Sequence, residues 1–95
     1  MDITSNPWVI SAADVAAGPV TVWPYVCIIE NIEFAQYNNT TDSALINHNN
    51  GKSLAFLRGA ADLETVKTNK LGVAYGVSIP QNGIAATGTV RIYHK

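Results

Sequence analysis

Charge is scarce in this chain of 95 residues. Asp, Glu, Lys and Arg together make up 14% of it, where about 25% is usual for a soluble domain. Apolar residues make up 47%, which excludes a disordered chain, since disorder goes with low hydrophobicity and high charge. A surface this poor in charge, with net charge −1, suits a molecule partly covered by another better than a lone monomer. No Lys or Arg precedes Lys52, so residues 1–51 carry −5 and residues 52–95 carry +4. Two consequences are open: the halves interleave in one sheet and neutralise each other, or the polar molecule stacks against a copy or neighbour. Basic patches interleaved with aromatics are missing, which excludes a nucleic-acid partner.

Cysteine is nearly absent. Cys27, in the apolar run Val26-Cys27-Ile28-Ile29, is the only one. It cannot form an internal disulfide, and no zinc-ligand spacing surrounds it. A buried, inert thiol is expected, and stability must come from packing or from a partner. The two histidines, His48 and His94, read as exposed polar residues. Asp42, Ser43 and His48 lie close in sequence, but a catalytic triad is defined by geometry and not by spacing. Asp42 with Asn38, Asn39 and Thr40 reads as a solvated loop, because one carboxylate makes a weak calcium site. No Gly-rich phosphate loop precedes a helix. The expectation is a non-enzymatic protein with no catalytic, metal or cofactor residues. The segment Met1-Asp2-Ile3-Thr4-Ser5-Asn6-Pro7 is neither basic nor continuously apolar, so no signal peptide is expected. No apolar stretch approaches a membrane span. Synthesis in the cytoplasm and no membrane partner follow as expectations, and the Asn-x-Thr patterns at Asn38 and Asn39 are then chance.

What is abundant points to sheet. Val, Ile and Thr together number 26, against 5 Leu and 1 Met, and β-branched residues favour pleated, half-buried surfaces. Nine Asn and seven Gly supply turns. Turn signals recur about every ten residues, so the chain is expected to be all-β: a small β-sandwich or jelly roll with at most one or two helical turns. Residues 1–7 read as an arm and 8–95 as a single domain. Strands are expected over 8–10, over 20–23 up to Pro24, over 25–35 with a kink near Glu30-Asn31, over 71–79 and over 87–94. Ser11, Asp14 and Gly18 suggest a helical turn, and a second is possible over 62–66.

Asn50-Gly51 separates two apolar runs and suggests a type I′ hairpin turn. In that register Asn47 faces Leu54, Ile46 faces Ala55 and Leu45 faces Phe56. One face carries Ala44, Ile46, Ala55 and Leu57, and the other carries Leu45, Leu54 and Phe56. A single sandwich buries only one of these faces. In residues 71–79 the odd positions (Leu71, Val73, Tyr75, Val77, Ile79) read as core. The even positions Gly72, Ala74 and Gly76 leave a bare face that another backbone can approach. These two surfaces, with Trp8, Trp23 and Tyr25 as aromatic anchors, are the expected protein interface. Trp8, Trp23, Tyr25 and Tyr37 with the Asn-rich loops also allow another use, a carbohydrate-binding module or a receptor-binding tip of the tail-tip or adhesin type.

A polar loop leads to Asp42–Ile46, then Asn49-Asn50-Gly51-Lys52, an apolar strand, Gly76-Val77 and a closing Gly88-Thr89-Val90-Arg91-Ile92-Tyr93 strand. This order of strands and turns, from Trp8 to Lys95, resembles the small virion proteins of tailed bacteriophages, particularly capsid decoration (cement) proteins and short accessory proteins of the head or tail. The resemblance implies a β-sandwich or jelly roll located in the virion. It implies a clamp on the major capsid protein or another virion protein, often as a dimer or trimer, with no active site to carry over. The lysine-free first half departs from that pattern where the docking surface would lie. The arm before Trp8 is the segment expected to reach a neighbour.

Overall fold

A computed structural model describes residues 1, 3–85 and 87–95. The elements are β1 (Trp8–Ser11), α1 (Ala12–Val15), β2 (Val20–Ala35), β3 (Ser43–Asn47), β4 (Ser53–Arg58), β5 (Val66–Lys67), β6 (Gly72–Ile79) and β7 (Thr89–His94). All strands join one antiparallel sheet in the order β1-β7-β2-β6-β3-β4, with β5 also on β2. The domain is all-β, as its composition implies. The sheet rolls over itself: β4 is three places from β2 in that order, yet it comes back close to β2 and β5. One apolar cluster fills the space inside, with Ile10, Ile29, Ile32, Phe34, Ile46, Ile79, Val90 and Ile92 sealed from solvent. The β-branched excess is therefore the core itself.

The strand expected to stop at Pro24 does not stop. Val20–Ala35 is continuous, because Pro24 falls at an irregularity where its missing amide costs nothing. Trp23 pairs with Val77 and Val26 with Tyr75, so Pro24 and Tyr25 stand opposite Gly76 alone. The kink expected near Glu30 is a register shift between Ile29 and Asn31 along β7. Around Ser11 the helical turn forms, and both the amide and the hydroxyl of Ser11 donate to Asp14 Oδ2, at 2.8 and 3.0 Å. The second helical turn does not form. Asp62 Oδ1 accepts the Glu64 amide at 3.1 Å, Leu63 takes φ +60° and Val66–Lys67 pair with β2. Local side-chain bonding from Asp competes there with helix.

The β3–β4 hairpin forms, but its turn differs. The Gly51 amide donates to the His48 carbonyl at 3.0 Å and the His48 amide to the Lys52 carbonyl at 2.8 Å. Only Gly51 has positive φ, +88°. This is the three-residue loop closed by a left-handed Gly, not type I′. The extra residue shifts the pairing, so Asn47 meets Ser53, while Ile46 meets Ala55 and Leu45 meets Phe56 as expected. The charge halves interleave: Glu33 pairs with Arg91 at 3.4 Å and Glu30 with Lys95 at 3.7 Å.

The arm turns back on its own body. The Met1 ammonium sits 3.0 Å from Asp14 Oδ1, Ile3 packs against the core, and the Asn6 amide brackets the His94 backbone at 2.6 and 3.1 Å. The reach toward a neighbour expected of it is not the conformation adopted, because these contacts are available within the chain.

Candidate functional site

The hairpin turn sits against the irregularity in β2 and β6. The Asn49 amide donates to the Tyr75 carbonyl at 3.1 Å, and Asn49 Nδ2 lies 3.4 Å from the Trp23 carbonyl. His48 Nδ1 accepts the Tyr75 amide at 3.0 Å. Gly76 takes φ +81°, and a Cβ there would meet Asn49 Nδ2 at 2.4 Å. The bare face expected on residues 72–76 is thus used inside the chain. Ala74 is fully buried and Gly76 is buried against Asn49, which removes both from the expected interface; Gly72, half-buried at φ +83°, has open space beside it.

Gly76 also changes which residues face outward. Beyond it Val77 and Ile79 enter the core as expected, but Val73 and Tyr75 point to solvent, 49% and 60% exposed. The odd face is not one core face, because a positive-φ residue at a bulge breaks the two-residue alternation. Outward Val73 and Tyr75 lie directly across from Ile28 and Val26. Val26 is 64% exposed and neighbouring Tyr25 69%. No charged residue occurs from Val20 to Ile29 or from Leu71 to Ile79. The result is an uncharged apolar ladder on the outside of the sheet. Of the hairpin's second face, Leu45 and Leu54 are half-buried and only Phe56, at 57%, is open. Leu54 packs on the core, so this face is smaller than its sequence suggests.

At one end of the ladder lies an aromatic cleft of about 470 Å³. It occupies the place where β7 ends at His94 while β2 continues as Val20–Ile28. Trp8, Trp23, Val26 and Cys27 line it together with arm residues 3–6, His94 and Lys95. Trp8 is almost fully buried, with its ring stacked on His94 at 3.9 Å and on Trp23 at 5.3 Å. Trp23 is half-buried and meets Tyr25 edge-on at 5.9 Å. The exposed, coplanar pair that a sugar platform requires is not formed, since Trp8 has a neighbour on each side. Tyr37, stacked on Phe34, is core: its hydroxyl donates to the Glu64 carbonyl and accepts the Ala60 amide. Cys27 is half-exposed rather than buried and lines the cleft, and partial burial pushes its thiol above the ordinary value. His94 is likewise not a free surface group, because Trp8 covers its ring.

Two of the carboxylates, Asp42 and Glu33, are bonded within the fold. Asp42 Oδ2 accepts the amides of Asn38 and Asn39 at 3.0 and 3.1 Å. Glu33 Oε1 accepts the Tyr93 hydroxyl at 2.7 Å, a bond that pushes the Tyr93 pKa up. Among the described residues no three His, Cys, Asp or Glu side chains come together as a metal site, and no helix is long and apolar enough to cross a membrane. No family model matches the chain, and no curated protein or solved structure is significantly similar to it. The signal for the ladder was present in the uncharged runs. What hid it was the change of facing at Gly76.

Proposed function

We propose that this chain is a non-enzymatic structural protein that docks on another protein surface and reinforces an assembled shell, in the manner of a phage capsid decoration protein. The observation that carries this reading is the ladder of Val26, Val73 and Tyr75 beside Tyr25, large apolar side chains about half or more exposed on the outer face of a small, weakly charged domain. Exposed apolar patches of this kind mark interaction sites. Covering a patch of a few hundred Å² at about 25 cal/mol per Å² contributes several kcal/mol before the cost of association. Aromatic residues at its centre suit a hot spot. The Asp42 and Glu33 carboxylates, bonded within the fold, fit a structural role for those two groups. The likeness to decoration proteins rests on the order of strands and turns. That likeness implies the major capsid protein or another virion protein as the partner, with the chain acting in the virion as a dimer or trimer.

Reinforcement of this kind is mass action: a ligand that binds only the assembled shell stabilises it by RT ln(1 + [L]/Kd). The test is to add the purified chain to phage heads lacking it, then follow co-sedimentation and release of DNA on heating. Heads that bind the chain and open at a higher temperature support the reading. Heads that neither bind it nor change would refute it.

A further inference from the structure

The aromatic cleft shares Val26 with the ladder, but the chemistry of its interior is distinct. Trp8, Trp23, Val26, Cys27 and Ile3 give it an apolar surface, beside the polar arm residues Thr4, Ser5 and Asn6. Its two ionisable nitrogen-bearing groups, His94 and Lys95, are adjacent at one end, and no acidic side chain lines it among the described residues. Lys95 Nζ is largely exposed, with Glu30 Oε1 at 3.7 Å as its ion-pair partner. His94 Nε2 is sealed from solvent and has no hydrogen-bond partner among the described residues, an arrangement that folded proteins seldom leave unexplained. The other cleft, beside α1, differs on each point: Ala12, Ala13, Ala16, Ile84 and Ala85 line it with Asn82, and it offers neither ring nor charge.

We infer that the aromatic cleft binds an aromatic carboxylate, with the ligand ring against Trp23 and Val26 and the carboxylate at the His94–Lys95 end. The volume lies within the range of small-molecule sites, about 300–1,000 Å³. An apolar body fits the apolar part of the lining, and an anion fits Lys95, the charged side chain among the described lining residues. The carboxylate shares Lys95 with Glu30, beside the unpartnered Nε2 of His94. The same chemistry occurs in a free aromatic acid and in the C-terminal residue of a peptide ending in Phe, Tyr or Trp. This site goes beyond the docking proposed above and does not depend on it.

Both tryptophans of the chain line the cleft, so intrinsic fluorescence reports on it directly. The experiment titrates the intact chain with N-acetylphenylalanine and, separately, with N-acetylphenylalaninamide, which keeps the ring and lacks the charge. Saturable binding in the millimolar range is expected for a ligand of this size. The amide should bind about tenfold more weakly, as loss of a charge-assisted contact implies. Lys95→Met should weaken the acid by a similar factor, and Glu30→Gln, which removes the competing carboxylate, should tighten it. Circular dichroism checks that each variant is folded. A short Gly/Ser peptide ending in Phe distinguishes the sources. Tighter binding than the small acid identifies a chain end, weaker binding identifies a free acid, and both support the assignment. No fluorescence change with the acid, equal binding of acid and amide, or an unaffected Lys95→Met variant would overturn it.

Discussion

The two halves of β2 form one continuous strand and do different things. From Ile29 to Ala35 the strand has β7 on one edge, and Glu33 and Phe34 also pair with β5 on the other. Ile29, Ile32 and Phe34 are sealed in the core, and Glu33 on the opposite face is bonded to Arg91 and Tyr93. Both carboxylates of this half are partnered, Glu33 as above and Glu30 with Lys95. From Val20 to Ile28 the strand has β6 on one edge, and on the other no strand pairs with it among the described residues. This half carries no charge, bulges at Pro24-Tyr25, and leaves Tyr25 and Val26 bare. The lesson is that hydrophobicity alone does not separate core from interface. What separates them is whether the polar alternates along the strand are present and partnered.

That contrast can be broken at several points. The largest effect belongs to the closed half. Phe34→Ala removes a ring stacked on Tyr37 at full burial and should cost about 3–5 kcal/mol, read as a fall in the urea midpoint. A loss below about 1 kcal/mol would mean that this half is not the core. Next is the junction with the hairpin. Gly76→Val places a β-branched residue at φ +81° against Asn49 and should cost more than about 1–3 kcal/mol. Gly51→Val has the same φ problem without the collision, so it should cost less than Gly76→Val but still about 1 kcal/mol. Melting temperatures of the two variants in parallel check the order.

A smaller effect is expected at the arm. The Ser11 amide bond, with smaller contributions from the Ser11 hydroxyl and the Met1 ammonium, holds the Asp14 carboxyl below its usual range. Its folded pKa is depressed, so its stabilisation is present above the unfolded pKa and is lost as pH falls through the folded one. Asp14→Asn should therefore cost about 1 kcal/mol near neutral pH and nothing once both forms are protonated. Unfolding curves at neutral and strongly acid pH test this, and a pH-independent difference would contradict it. The smallest effect on stability is expected in the open face. Val73→Thr and Tyr75→Thr place β-branched side chains, which suit strands, at exposed positions, and each should stay within about 0.5 kcal/mol of the parent.

Much of this was legible in the residues. The β-branched excess, the capping Ser11 and Asp14, the hairpin, the kink at Glu30 and the interleaved charges all act within a few residues or through composition. The facing of residues 71–79 was not legible, because it turns on Gly76 accepting positive φ so that Asn49 can enter a bulge. Alternation along one strand carries no record of a contact made by a distant turn. Pro24 misled for a related reason: a proline stops a strand only where its amide is needed. The cleft was legible only as a set of aromatic residues. That the sixth residue of the chain brackets the backbone of the ninety-fourth depends on the rolled sheet bringing the two ends of the chain together.

The account turns on the claim that the outer ladder, and not the core, is what binds. The direct measurement is co-sedimentation of the double variant Val73→Thr, Tyr75→Thr with phage heads, beside its melting temperature. Neither residue lines the cleft, so the ladder is tested alone. The expected result is a folded protein with a nearly parental melting temperature that no longer sediments with heads which capture the parent chain. A folded double variant that binds those heads as well as the parent would contradict the account.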